Sequence, residues 1–122
     1  MGDVVLRKID CVMIRVDDLE RAVAYYTRVF GLQRAWTRPR QVGLTMPETD
    51  AEIVLHTEDL LLRTEAYYLV DDVAQAIAHF RANGCRVLVE PLDIEIGMCA
   101  TIEDPFGTRL NILDMTKGPL KP

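Results

Sequence analysis

Side chains that bind cations or move protons occur at alternate positions of the predicted strands. Glu52 and His56 lie four positions apart in one apolar run, and Arg109 and Asn111 lie two apart in the last run. Glu65 lies near the start of a third. Residues two or four apart in a strand project from the same face, so each strand is predicted to present polar groups on one side. An imidazole beside carboxylates provides a general base near neutral pH, or ligands for a divalent cation.

The opposite faces of these strands are apolar, as the positions of Ile53, Leu55, Leu110 and Ile112 show. A sheet with one apolar face packs that face on helices, and its polar side chains then lie on the other face. Partly buried polar groups are costly unless they pair with each other, with water or with a ligand. A structural ion pair of Glu65 with an arginine, or a solvated imidazole at His56, is therefore the alternative to a functional site.

The chain contains an internal repeat. The segment 16–26 is echoed residue for residue by the segment 70–80, with Asp18 matched by Asp72 at a distance of 54 positions. A fixed internal period indicates that the unit of architecture is half of the chain. Each half is too small to bury a core alone, so two modules are predicted to share one core, with a ligand cleft between them.

Each half is predicted to contain a strand, a helix and three further strands. The first helix is predicted to begin at an N-cap Asp17 with Glu20 in a capping box, and to end at Gly31. The second is predicted to begin at Asp72 and to end at Gly84. The first strands are predicted over residues 9–16 and 64–70.

Turn residues mark the last hairpin of each half. Asp104-Pro105-Phe106-Gly107 places proline and glycine where a tight turn requires them, and Pro47 lies in the corresponding turn of the first half. The sequence thus predicts an α+β fold of tandem βαβββ modules, a curved mixed sheet around a cleft with the helices on the outer face. We expect one domain over 1–122 with modules of about 8–57 and 64–115. Residues 57–64 are predicted to join the modules, and residues 117–122 to form a loose tail.

Composition excludes several classes of protein. The 122 residues carry a net charge of −5 without a dense cluster of lysine and arginine, so we expect no binding to nucleic acid. No stretch is apolar enough to be a signal peptide or to span a bilayer, so we expect no membrane association. The three cysteines are scattered, which favours a reducing cytoplasm over a disulfide framework.

The repeat, the order of elements and the turn sequence from Glu103 to Leu110 together resemble the vicinal oxygen chelate superfamily. This superfamily contains glyoxalases, extradiol dioxygenases, fosfomycin-resistance enzymes and bleomycin-binding proteins. The resemblance covers residues 8–115, and the run from Leu92 to Gly97 is similar to a glyoxalase-like subset of unassigned activity. A shared fold does not by itself identify the reaction.

Members that use a metal take one ligand from the first strand and one from the last strand of each module. The resemblance places these four positions on Cys11, Val54, Glu65 and Asn111. A valine and an amide do not replace the histidine and carboxylate ligands that a catalytic cation requires. We therefore expect no metal at these positions and no cofactor.

The preferred hypothesis is a protein that binds a small organic molecule in the cleft between the modules, as bleomycin-binding relatives do, and that forms a homodimer. The alternative is an enzyme, a lactoylglutathione lyase-like isomerase or lyase, with His56 and Glu65 as catalytic acid and base or as ligands of a shifted divalent metal. A purely structural or regulatory dimer is a third hypothesis. The residues predicted to bind the ligand are Cys11, Met13, Glu52, Tyr67, Arg109 and Asn111.

Overall fold

A computed structural model describes residues 4–59 and 64–120. The described residues form two βαβββ repeats in chain order, which confirms the predicted α+β class. The elements of the first repeat are β1 (Lys8–Arg15), α1 (Leu19–Phe30), β2 (Gln33–Arg38), β3 (Gln41–Met46) and β4 (Thr49–His56). Those of the second are β5 (Thr64–Leu69), α2 (Val73–Ala82), β6 (Arg86–Ile94), β7 (Gly97–Glu103) and β8 (Arg109–Leu113).

The chain divides into two compact units. We call residues 10–66 the first unit, and residues 67–120 with the residues up to Ile9 the second unit. In the first unit the strand order is β2-β3-β4-β1, with β1 parallel to β4 and the other pairs antiparallel. In the second unit the order is β5-β8-β7-β6, with β5 parallel to β8. The two units therefore have the same topology.

One hydrogen bond recurs at the equivalent place in both units. The N–H of Val16, just after β1, donates to the carbonyl of His56 at 2.8 Å. The N–H of Val70, just after β5, donates to the carbonyl of Leu113 at 2.9 Å. In each unit this bond joins the end of the first strand to the end of the last strand, at the point where the chain turns into its helix.

The first helix confirms its predicted end but not its predicted start. Gly31 lies at φ 75° and ends α1, and its N–H donates to the carbonyl of Tyr26. The N-cap is Asp18, whose carboxylate accepts the N–H of Arg21 at 3.1 Å, and not Asp17. The internal repeat already contained this correction, because Asp18 is the residue that matches the cap Asp72.

The second helix begins as predicted at Asp72, whose carboxylate accepts the N–H of Gln75 at 2.9 Å. The helix ends at Ala82 with Asn83 as its C-cap, and Gly84 follows at φ 92°. The predicted stop at Gly84 is thus displaced by one residue. None of the helices in the described part of the chain is long and apolar enough to cross a membrane.

The predicted division of each sheet into two faces is confirmed. Apolar side chains of α1 pack against one side of the first unit's sheet, on Ile14, Ile53 and Leu55. In the second unit, α2 packs against Leu110 and Ile112. We call the side of each sheet that is opposite its helix the inner face.

The C-terminal segment 117–120 packs on the second unit, contrary to the predicted loose tail. The N–H of Lys117 donates to the carbonyl of Ile96 at 2.8 Å, and the Lys117 ammonium contacts Asp93 at 3.2 Å. Leu120 packs on Leu69, Ile96 and Leu113 on the inner face. Part of the predicted joint, residues 60–63, and the last two residues lie outside the described residues.

A buried carboxylate ties three elements of the second unit together. The two oxygens of Asp114 accept the backbone N–H groups of Val73 at 2.8 Å and Met98 at 2.9 Å, and also contact the N–H and hydroxyl of Thr116. A Cβ at Gly97 would collide with this carboxylate, so the glycine permits its approach. Burial alone raises the pKa of Asp114, but these hydrogen bonds outweigh burial and hold the pKa below its usual value of 3.8.

We expect Asp114→Asn to lower the free energy of unfolding by about 1–3 kcal/mol, because the amide leaves a buried donor unmatched. The depressed pKa means that this stabilisation is present above pH 3.8 and is lost as the pH falls below that value. Urea unfolding of the two proteins between neutral and acid pH measures the difference. Asp71→Asn, at an exposed carboxylate, is the matched control; equal losses in both variants would contradict the role of Asp114.

Candidate functional site

Strand register arranges the inner face of the first unit in three rows. Cys11 on β1 lies beside Glu52 on β4. In the next row, Met13 lies beside Val54, which pairs with Gly43, and Gly43 pairs in turn with Trp36. In the last row, the four neighbours are Arg15, His56, Gln41 and Arg38. Residues opposite each other in paired strands share a face, so acidic, apolar and basic side chains lie in successive rows.

The aromatic ring of Trp36 spans the first two rows. Its indole Nε1 donates to Glu52 Oε1 at 2.8 Å. The ring lies where a Cβ at Gly43 would collide with it, so the absence of a side chain at Gly43 allows the ring to lie flat on β3. Trp36 is buried, whereas Glu52 is only half-buried. The tryptophan therefore fixes the carboxylate from its buried side and leaves its other side accessible.

Burial is the main cause of the pKa shifts of the side chains in the first row. It raises the pKa of Glu52 above 4.5, an effect that the Trp36 hydrogen bond opposes and the charge of Asp10 increases. Burial also raises the pKa of the Cys11 thiol far above its usual value, with further contributions from Asp10 and Glu52. The nucleophile of cysteine chemistry is the thiolate. Cys11 is therefore a small buried thiol, and Glu52 is the titratable group.

His56 lies fully buried in the last row. Its Nδ1 accepts the N–H of Glu58 at 3.0 Å, which leaves the ring hydrogen on Nε2 in the neutral form. Within the part of the chain that the structure describes, Nε2 has no hydrogen-bond partner. Burial lowers the pKa of His56 below 6.5; Glu58 opposes this effect, and Arg15 and Arg40 add to it. The imidazole thus presents a buried, unsatisfied donor.

The remaining predicted site residues lie on the other strands. Glu65 is buried on β5 and is grouped with the first unit. In the second unit, Tyr67 packs in the inner-face cluster that includes Leu120. Asn111 is buried, and its side-chain oxygen accepts the Thr101 hydroxyl at 2.7 Å. Arg109 lies half-buried opposite Glu103 in register.

The four positions that relatives use for metal ligands do not offer a suitable donor set. Val54 has no donor atom, and the raised pKa of Cys11 disfavours the thiolate that a metal requires. The Asn111 oxygen is already engaged by Thr101. Among residues 4–59 and 64–120, no group of three or more His, Cys, Asp or Glu side chains has an arrangement that could hold a metal ion. The residues at the four family positions therefore do not fit a catalytic cation.

The role of Trp36 was only weakly indicated by the sequence pattern. An aromatic residue in a strand is more often part of a core than of a site, and its bond to Glu52 joins residues 16 positions apart. The available signal was the combination of the single tryptophan with a glycine in the middle of the neighbouring strand, because an interior strand glycine often marks a close approach.

We expect Trp36 fluorescence to report the protonation of Glu52. Because burial raises the pKa of this carboxyl, the emission should change with a midpoint above pH 4.5. Trp36 is the only tryptophan, so the signal is specific. The transition should disappear in Glu52→Gln and persist in Glu48→Gln, at an exposed turn position. An unchanged transition in Glu52→Gln would assign the signal to another group.

Known proteins share this fold. Lactoylglutathione lyase of Salmonella typhimurium is 30% identical over 122 residues, which cover 84% of this chain and 88% of that protein. The Escherichia coli O157:H7 lactoylglutathione lyase is 29% identical over 120 residues, with the same coverage. The crystal structure of methylmalonyl-CoA epimerase from Mycobacterium tuberculosis has a TM-score of 0.72 at 17% identity and covers 93% of this chain and 91% of that chain.

A Streptomyces coelicolor methylmalonyl-CoA epimerase in complex with 2-nitronate-propionyl-CoA also has a TM-score of 0.72, at 19% identity, and covers 92% of this chain and 99% of that chain. At such identities the structural likeness shows the fold alone. The family model described as Glyoxalase/Bleomycin resistance protein/Dioxygenase superfamily matches residues 8–112. Since this match and the doubled βαβββ topology cover almost the whole chain, the protein belongs to that superfamily.

Proposed function

We propose that this chain binds a small organic molecule on the inner face of its first unit, without a divalent metal at the four family positions. The observation that carries the proposal is the Glu52 carboxyl, which is half-buried, has a raised pKa and is held by the Trp36 indole. Partly buried carboxyls with perturbed pKa values are concentrated at functional sites. The absence of a donor at Val54 supports the proposal that the ligand, rather than a cation, contacts this carboxyl.

The side chains of these rows would contact different parts of the bound molecule. Trp36 and Met13 provide an apolar surface for a flat or aliphatic part of the ligand, and Glu52 provides a hydrogen bond that fixes its orientation. Cys11 contributes packing, because its thiol stays protonated. Contacts of the ligand with Tyr67, Arg109 and Asn111 remain predictions. Assembly into a homodimer and a cytoplasmic location also remain predictions.

Thermal unfolding in the presence of a panel of small organic molecules tests the proposal. A ligand that binds the folded state raises its stability, by about 2.7 kcal/mol at a concentration one hundred times its Kd. We expect Glu52→Gln to weaken a ligand found in this way by about tenfold or more, since a hydrogen bond to a charged group is lost. Glu48→Gln is the matched control and should bind as the wild type does.

Two results would contradict this proposal. One is a Glu52→Gln protein that binds every ligand with unchanged affinity. The other is a stoichiometric divalent metal in protein purified without chelators, provided that Glu65→Ala releases it. The second result would instead place a cation at the family positions.

Similarity to lactoylglutathione lyases supports a second candidate, a lyase or isomerase that uses His56 and Glu65. The bond from the Glu58 N–H to Nδ1 places the imidazole hydrogen on Nε2, so His56 would donate a hydrogen bond to the substrate oxygen, and Glu65 would accept the substrate proton. In this arrangement the general base is the Glu65 carboxylate and not the His56 imidazole.

If the protein is a lyase, we expect it to convert thiol adducts of α-keto aldehydes to a thioester such as lactoylglutathione. Ultraviolet absorbance measures this conversion. If His56 is the hydrogen-bond donor and Glu65 the base, His56→Ala and Glu65→Gln each lower kcat by about 10²-fold or more. Assays with and without added divalent metal separate an acid–base pair from a shifted metal site. No turnover across a broad panel of adducts would contradict the lyase.

A further inference from the structure

The geometry points to Arg15 and His56 as a recognition site for an oxyanion, a carboxylate or phosphate group, of the ligand that the first unit holds. This inference rests on the proposed function and names the chemical class of its ligand. The two side chains are neighbours in the parallel pairing of β1 and β4. One is a guanidinium, and the other is an imidazole whose Nε2–H has no acceptor among the residues that the structure describes.

The second unit shows what the fold itself requires at this place. By the internal repeat Arg15 is equivalent to Leu69, and the hydrogen bond that recurs in both units makes His56 equivalent to Leu113. Those leucines are also neighbours in a parallel pair, and they pack in an apolar cluster together with Leu120. The same two backbone positions thus carry leucines in the second unit and basic side chains in the first. Since leucines satisfy the fold, packing does not explain the polar pair.

The orphaned donor indicates a missing acceptor. A buried N–H without a partner costs free energy comparable to the loss of a hydrogen bond, and such groups are rare in native proteins. The neighbouring atom of the ring, Nδ1, is satisfied by the Glu58 N–H. A ligand oxygen at Nε2 would remove the cost, and an anionic oxygen would also gain from the adjacent guanidinium.

The charges around the imidazole are the guanidinium groups of Arg15 and Arg40 and the carboxylate of Glu58. Arg40 is paired with Glu58 at 3.4 Å. Arg15 is paired with Asp17 at 2.7 Å and, less closely, with Asp59 at 3.6 Å. The imidazole thus lies among two guanidinium groups and one carboxylate, and that carboxylate is itself paired with Arg40.

Entry to the site lies at Arg15, because the imidazole itself has no exposed surface. The Arg15 side chain retains 25% of its surface, and the side chain of its distant partner Asp59 is 94% exposed. Ion pairs with so exposed a partner are weak. The ligand oxyanion therefore takes the place of Asp59 at the guanidinium and reaches Nε2, while its apolar part lies toward Met13 and Trp36 in the next row.

Nuclear magnetic resonance of the histidine rings tests this inference directly on the full chain. The chain contains only two histidines, so His79→Gln assigns the His56 Nε2–H signal. The probes are propionate, inorganic phosphate and the uncharged propionamide, each at constant ionic strength set with chloride. We expect propionate, phosphate or both to shift the His56 signal saturably, and propionamide to bind at least about tenfold more weakly. The two anions distinguish a carboxylate site from a phosphate site.

His56→Leu and Arg15→Leu are variants that copy the second unit. We expect each to stay folded, although His56→Leu also loses the bond from the Glu58 N–H to Nδ1, and to weaken the anion by about tenfold to a hundredfold. Arg15→Lys serves as a milder variant that retains the charge and should weaken the anion less. A His56 signal that no anion moves, or anion affinity that survives both leucine variants, would overturn the inference.

The outcomes also separate this inference from the proposed function. If uncharged ligands bind in a way that depends on Glu52 while no anion moves the His56 signal, the oxyanion site is overturned and the proposed function stands. If anions bind at His56 while Glu52→Gln binds every ligand unchanged, the oxyanion site stands and the assigned role of Glu52 fails.

Discussion

The parallel pairing of the first and last strands of each unit is the constraint on which the inner face depends. In both units the backbone N–H that follows the first strand donates to the carbonyl that ends the last strand, from Val16 to His56 and from Val70 to Leu113. This bond fixes the register at the point where the chain enters its helix. A slip of one residue would exchange the two faces, placing Leu55 on the inner face and His56 against α1.

The repeat supplies one backbone, and the two copies use it differently. The second unit fills its inner face with leucines and its own C-terminal segment, and it anchors α2 through the buried Asp114 carboxylate. The first unit places arginine, histidine, tryptophan and glutamate on the corresponding face. One copy therefore packs leucines at the end of its first and last strands, and the other places polar and charged side chains there.

A single physical cause connects the titratable groups of this face. Burial raises the pKa of Glu52 and Cys11 and lowers that of His56. The directions differ, but in every case desolvation disfavours the charged form. A face that has lost its hydration but keeps its hydrogen-bonding groups favours ligands that replace the missing water with oriented donors and acceptors. The resemblance places one of the four family ligand positions on this face at Val54, whose side chain has no donor atom.

Sequence patterns were enough to predict the topology, the family and most of the assignment of side chains to the two faces of each sheet. The internal repeat predicted two βαβββ units, and the turn at Asp104 predicted the last hairpin. The alternation of apolar and polar residues predicted that Leu55 and His56 lie on opposite faces of the sheet. These signals are local or periodic, so a single chain reveals them. The cap was misplaced on Asp17 because Glu20 lies three residues after it, as in a capping box, whereas the internal repeat matches Asp72 with Asp18, which is the N-cap.

Hydrogen-bond partners between distant residues could not be predicted before the fold was known. The bond between Trp36 and Glu52, the docking of Leu120 and the unsatisfied Nε2 of His56 each depend on contacts between distant parts of the chain. Such contacts follow from how strands are paired and where backbones approach, as Gly43 allows beneath the tryptophan ring. Residue types along the chain carry the chemistry, but hydrogen-bond satisfaction and desolvation are properties of the folded surroundings, and they determine what that chemistry can do.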